Sequence, residues 1–260
     1  MSKPFLFTRR QVMEEIAEIT GGRCLLAFSR GKDSIAAWLE LRESGLFSEI
    51  VPFHLDGCPG MSFVEESLQY FEDWFQAKII RLPHISFYRQ LGTCLFQPPE
   101  RIRIIRELGF DQCTRFTYND VRCWLAEDLG WDVKTTWTAT GVRVADSPRR
   151  RIHITRSRAR NFKQGQFYPC FDMLIADVRA IIARYGIKLP PDYEMFGRSF
   201  DGLDYRFAGP LQKHRPEDFE RLRFWFPLVD LEILRHDMKE DGKNTIVLND
   251  GNPATRKDSK

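Results

Sequence analysis

The stretch RCLLAFSRGKDSIAAWLEL, residues 23–41, limits the possible folds of this chain more than any other segment. Cys24 to Phe28 is a continuous apolar run, the pattern of a strand buried on both faces. The turn Ser29-Arg30-Gly31-Lys32-Asp33-Ser34 separates it from an apolar pattern of helical period that stops at Gly45. A strand feeding a helix through one tight turn is the opening of a parallel α/β unit. In open parallel sheets, ligands sit at the carboxyl ends of strands, near the point where strand order reverses. Gly31 permits close backbone approach, and the helix start offers unpaired N–H groups and a positive dipole end. Ser29 and Ser34 add hydroxyls, and Lys32 adds a full charge. On physical grounds this turn is a cradle for phosphate.

The remainder of the chain repeats the alternation. Thr8-Arg9-Arg10-Gln11 fits a capping box, with Val12, Met13, Ile16 and Ile19 as a helical stripe and Gly21-Gly22 as its stop. Ile50 to Leu55 reads as a second strand, in which Pro52 suits an edge or a bulge. Ser62-Phe63-Val64-Glu65 reads as another capping box, Ile79 to Leu82 as a third strand, and Lys134 to Thr140 as a fourth. Helices are expected over about 100–108 and 118–129, and from Asp172 to Gly186. The expected fold is α/β: a doubly wound, mostly parallel sheet with helices on both faces and a C-terminal helical extension.

No apolar run approaches the roughly 20 residues that span a bilayer, so no membrane partner is expected. The start lacks a long apolar signal region, and the expected address is the cytoplasm. The six cysteines form no CxxC pair, which argues for reduced thiols, mostly in the core, and against a zinc ribbon. The late aromatics Phe219, Leu222 and Phe226 sit at helical spacing and read as core or as a partner surface.

The turn at 29–34 is not a Walker A loop, because Asp33 follows Lys32 and position 26 is not glycine. It resembles the SGGKDS element of the PP-loop family, the N-type ATP pyrophosphatases, with Arg30 replacing the first glycine. TWTATGVRVADSPRRR, residues 136–151, is similar to the GxR…ES region of the phosphoadenosine-phosphosulfate (PAPS) reductase branch, with Asp146 where glutamate is usual. Asp172 and Asp177-Val178 match that branch's next element, with Met173 in place of the usual aromatic; Asp56 and Gly57 match the aspartate and glycine after its second strand. The resemblance covers roughly residues 20–200 in order.

That resemblance implies an ATP-type or PAPS-like adenine nucleotide with its phosphates at Ser29, Arg30, Gly31, Lys32, Asp33 and Ser34. The adenine would lie over Ala27 and Phe28 and near Asp56, and Gly141 and Arg143 would face the α-phosphate. Lys32 and Arg143 would be the catalytic pair, and Asp33 would help hold Mg²⁺. The implied reaction is cleavage of ATP between its α- and β-phosphates, which adenylates an unknown acceptor. A sulfonucleotide reductase is the alternative, but its nucleophilic late cysteine has no counterpart, since no cysteine follows Cys170. The iron–sulfur subtype needs paired cysteines, so no iron–sulfur cluster is expected. A nucleotide-binding module that works with a partner protein is the third reading. Residues 1–200 would form the nucleotide-binding domain, 201–240 an extension packed on it, and 241–260 a flexible tail.

Net charge is only +3, but six arginines fall between Arg149 and Arg160. Arg149 and Arg150 are expected to reach the nucleotide. The stretch as a whole would grip a second anion, a nucleic-acid backbone or a protein partner, or would simply be a solvated loop.

Overall fold

The structure is a computed structural model and describes residues 5–249. Elements alternate along the chain as α1 (Arg9–Thr20), β1 (Arg23–Ala27), α2 (Lys32–Ser44), β2 (Glu49–Asp56), α3 (Ser62–Phe75) and β3 (Ile80–Pro83). Three helices follow without a strand: α4 (Ile85–Gly92), α5 (Pro99–Glu107) and α6 (Tyr118–Asp128). Next come β4 (Thr138–Ala139), α7 (Pro148–Ser157), β5 (Arg160–Asn161) and β6 (Gln166–Phe167). The chain continues through α8 (Ile175–Arg184), α9 (Asp192–Phe196), α10 (Tyr205–His214), α11 (Pro216–Trp225) and α12 (Asp230–Asn249).

The six strands form one sheet in the order β3-β2-β1-β4-β6-β5, parallel except for β5 against β6. From β1 the chain moves outward to β2 and β3, then crosses back to place β4 on the other side of β1. Strand order therefore reverses between β1 and β4, and a crevice opens at their carboxyl ends. The β2–β3 register begins at Phe53, one residue after Pro52, so the proline stands where that flank of β2 has no partner.

Alternation along β1 separates two cores. Cys24, Leu26 and Phe28 face one side, where they join Ile16 of α1, Trp38 of α2, Phe71 of α3 and Val178 of α8. Leu25 faces the other side and packs with Phe53 and Leu125 of α6. Helices thus cover both faces, as a strand without alternating polarity requires. Trp38 and Phe75 stack with ring centroids 3.6 Å apart, and Phe28 meets Trp38 and Phe71 edge-on.

Several expectations are corrected locally. The fourth strand shrinks to two residues because the Asp132 carbonyl captures the N–H groups of Thr135 and Thr136 in a turn. Ser62 does not cap α3; its N–H and hydroxyl both donate to Asp218 of α11 instead. The helix expected from Asp172 begins at Ile175, where the Asp177 carboxylate accepts the Leu174 N–H, while Asp172 pairs with Arg9. The capping box at Thr8 and Gln11 is present as read. The segment after 200 packs on α3–α5: the Trp225 indole donates to the Pro59 carbonyl, and Gln97 donates to the Trp225 carbonyl. Phe219, Leu222 and Phe226 are buried there. Helix α12 runs into the segment expected to be a flexible tail, and residues 250–260 lie outside the described residues. Among the described residues, no helix is long and apolar enough to cross a membrane.

Candidate functional site

Two adjoining cavities open at the β1/β4 crevice, of about 490 Å³ and 590 Å³. Ser29, Asp33, Leu55, His84 and Arg150 line both, so the two form one cleft divided by these side chains. The larger part has a shelf of Ala27, Phe53, Leu55 and Val142, with Ser29, Ser34 and Arg150 at its edge. The smaller part is bounded by Asp56 and Gly57 on one side and by residues 198–203 on the other.

The turn itself is built tightly. The Ser34 hydroxyl donates to the Gly31 carbonyl at 2.8 Å, and Ser29 and Ser34 hydroxyls lie 3.2 Å apart. Gly141 needs to be glycine because a Cβ there would meet the Asp33 carbonyl at 2.6 Å and the Ser34 nitrogen at 2.7 Å. Its close approach is to this chain's own helix start, and it locks β4 against α2.

Asp33 is an electrostatic hub. One carboxylate oxygen lies 3.0 Å from Arg143 Nε and the other 2.9 Å from Lys32 Nζ. Arg143 is buried, pairs also with Asp146 at 3.1 Å, and donates to the Met173 carbonyl at 3.2 Å. These contacts bear on three expectations. Arg143 is not an open phosphate clamp; it ties β4's end to α2 and to the loop before α8. Lys32 does not line the cleft; its side chain borders a separate cavity against α8 and residues 187–201. Asp33, expected to help hold Mg²⁺, faces two cations here, although its Oδ1 accepts no hydrogen bond.

Arg30 borders the smaller part of the cleft, but its side chain is engaged elsewhere. Its backbone is left-handed, with φ of 65°, where glycine would sit without strain. Its guanidinium turns away from the turn and binds Asp192 in bidentate fashion at 2.9 and 3.0 Å, with Ser67 at 2.9 Å. Both members of this pair are only 2% exposed. Phe28 borders the cleft, but its ring is committed to the core.

Arg150 is the expected arginine that does reach the cleft. Helix α7 starts at Pro148 behind the N-cap Ser147, and Arg150 is held by Asp146 at 2.7 Å while remaining half exposed. Arg149 is exposed and borders neither cavity. The basic stretch does not form one patch. Arg158 lies over the Phe7 ring, and Arg160 pairs with Glu15. Cys170 is fully buried, which raises its thiol well above the ordinary range and leaves it an inert core residue.

His84 and Tyr118 belong to the cleft but carry no spacing signal in the sequence. His84 is the N-cap of α4, and its Nδ1 accepts the Ser86 N–H at 2.9 Å. That bond leaves the ring proton on Nε2, which lies 3.2 Å from the Tyr118 hydroxyl. Burial, reinforced by Arg89, lowers the His84 pKa, so the ring is a neutral hydrogen-bond donor in the cleft. Asp56 is pushed the opposite way, above the ordinary carboxylate range, by burial; its carboxylate accepts the Cys58 N–H at 3.0 Å.

His54 supports the turn from beneath. Its Nδ1–H donates to the Phe28 carbonyl at 2.9 Å. Burial, then the charge of Arg30, depress its pKa to about 3. The unfolded chain binds a proton that the folded chain refuses, so stability is complete above about pH 6.5 and is lost as pH falls toward 3. One such group contributes a slope of up to about 1.4 kcal/mol per pH unit across that window. His54→Gln, which keeps a donor, is expected to flatten the stability–pH curve between pH 6 and 4 in denaturant melts; an unchanged slope would contradict the assignment.

No known family profile and no curated protein matches this chain. A search of solved structures returns the U34-tRNA thiolase NcsA from Methanococcus maripaludis with its [4Fe-4S] cluster. Identity is 12% and the TM-score 0.41, with 86% of this chain and 80% of that chain covered. That structure is solved with an iron–sulfur cluster, whereas ATP or a PAPS-like nucleotide with Mg²⁺ and no iron–sulfur cluster is expected of this chain from its sequence. Among the described residues, no group of three or more His, Cys, Asp or Glu is placed to hold a metal ion.

Proposed function

We propose that the β1/β4 cleft takes an adenine nucleotide as substrate and that the chain is an enzyme of PP-loop type. ATP would be cleaved between its α- and β-phosphates, with an acceptor oxygen attacking the α-phosphorus and pyrophosphate leaving. The observation that carries this reading is one juxtaposition. At the reversal point of a parallel sheet, an apolar shelf (Ala27, Phe53, Leu55, Val142) adjoins two hydroxyls and an arginine (Ser29, Ser34, Arg150). The shelf suits a purine face and the guanidinium suits phosphate oxygens; the Ser34 proton is held by the Gly31 carbonyl, so Ser29 is the hydroxyl that can turn toward them. Catalysis would come from positioning and from charge placed at the phosphates, with Arg150 in the role first expected of Arg143. The Tyr118 hydroxyl, faced by the neutral His84 Nε2–H at 3.2 Å, adds a donor at the same edge. The acceptor is unassigned. Exposed Arg149, Arg151 and Arg156 on α7 supply a surface for an anionic one, such as a nucleic-acid backbone.

One observation favours a second reading, nucleotide binding without turnover. Lys32 and Arg143, the two cations expected to do chemistry, are both held by Asp33. Isothermal titration with ATP, with pyrophosphate assayed in the same samples, separates the two. Binding with slow pyrophosphate release fits the enzyme; binding without it fits the module. Arg150→Ala is expected to weaken ATP binding about ten-fold or more, the value of a charge-assisted hydrogen bond to phosphate. Unchanged affinity in that variant would remove Arg150 from the site.

A further inference from the structure

The first N–H of α2, where a phosphate oxygen would dock, is already bonded. The Lys32 N–H donates to the Tyr193 hydroxyl at 3.0 Å. The outer side of Gly31 is covered as well: a Cβ there would meet the Ser199 hydroxyl at 2.8 Å, with the Tyr193 hydroxyl at 3.6 Å. Tyr193 and Ser199 lie 3.4 Å apart, oxygen to oxygen. Ser199 borders the cleft on one side and the cavity of about 670 Å³ on the other, where Lys32 and Tyr193 are found.

We infer that Tyr193 is an internal occupant of the phosphate cradle, displaced when an anionic ligand enters; this rests on the nucleotide reading above. The geometry explains why Arg30 stands where glycine would be unstrained. Its guanidinium fixes Asp192, the residue next to Tyr193, and the same Asp192 carboxylate accepts the Phe200 N–H at 2.9 Å. Asp192 therefore closes the 192–200 segment on itself and holds both Tyr193 and Ser199 over the turn. Phe196 and Phe200 anchor the segment against Phe63 and Phe207, with centroids 5.2–6.0 Å apart. Only the Tyr193 side chain and the Ser199 hydroxyl then have to move. Their movement opens the partition between the cleft and the second cavity and brings Lys32 to the ligand. Lys32 is thus the phosphate lysine of the displaced state, and the ligand's apparent affinity is reduced by the fraction of molecules in which Tyr193 is in place.

The test compares the full chain with Tyr193→Phe, using inorganic pyrophosphate as the probe in calorimetry. The variant keeps the ring and loses only the competing oxygen. It is expected to bind pyrophosphate about three- to ten-fold tighter, matching one net hydrogen bond removed from the ligand-free state. Lys32→Ala should lose more pyrophosphate affinity in the Tyr193→Phe background than in the original chain. Equal or weaker binding by Tyr193→Phe would overturn the inference, because the hydroxyl would then be neutral or a ligand contact. Exchange of the Lys32 amide, followed by NMR without ligand, is expected to quicken in the variant; an unchanged rate would remove Tyr193 as occupant while leaving the nucleotide reading intact. Absence of pyrophosphate and ATP binding by both proteins would instead remove the nucleotide reading, and the inference with it.

Discussion

Arg30→Ala is expected to lower unfolding free energy by about 3–5 kcal/mol, the loss typical when one partner of a buried ion pair is removed. The cause is the stranded charge. Asp192 is as buried as Arg30 and would keep only the Phe200 N–H among its present donors. Ser67 would also lose the donor that binds its hydroxyl. Arg30→Gly should be less harmful than Arg30→Ala, because glycine relaxes the left-handed backbone at φ 65° while alanine does not. Asp192→Asn placed on Arg30→Gly removes the unpaired charge and should recover part of the loss. The predicted order of stability is native, double variant, Arg30→Gly, Arg30→Ala, read from urea melts with a common slope. Equal destabilisation by Ala and Gly would mean that the backbone at position 30 is unstrained.

Gly141→Ala is the second large effect. The added methyl would lie 2.6–2.7 Å from backbone atoms of Asp33 and Ser34, which have no side-chain freedom with which to yield. Overpacking of this kind costs about 1–3 kcal/mol or more. The position couples stability to the site, because relief requires β4 to move from the start of α2. A lowered melting temperature is therefore expected together with weakened ATP binding. By contrast, Gly57, where a Cβ meets nothing within 4 Å, should accept alanine with little change in stability. Similar melting temperatures for the two variants would contradict the assigned role of Gly141.

What could be read beforehand divides by distance along the chain. The β1–turn–α2 unit was legible because every cue lies within residues 23–45: an uninterrupted apolar run, one glycine, then a helical period. The parallel sheet with helices on both faces followed from the alternation of strands and helices. Cues that depend on a remote partner misled. Ser62 has the spacing of a capping box, yet Asp218 takes both of its donors from 156 positions away. Arg30 looked like a phosphate ligand by its place in the turn, but Asp192, 162 positions away, claims its guanidinium. Arg143 carried the right position and the wrong exposure. His84 and Tyr118 join the expected Arg150 only in the folded chain, and isolated residues of these two types carry no periodic signal. One local cue was present and missed: Ser147-Pro148 is an N-cap followed by proline at N1, which announces α7 and the placement of Arg150.

A nucleotide seated in the β1/β4 cleft would shield the backbone that lines it. Hydrogen-exchange mass spectrometry with and without saturating ATP, in buffer containing a divalent cation, tests it most directly. Slowed exchange is expected in peptides covering 28–35, 53–57 and 140–151, with the rest of the sheet unchanged. Protection confined to other segments, or none at all at saturating ATP, would contradict it.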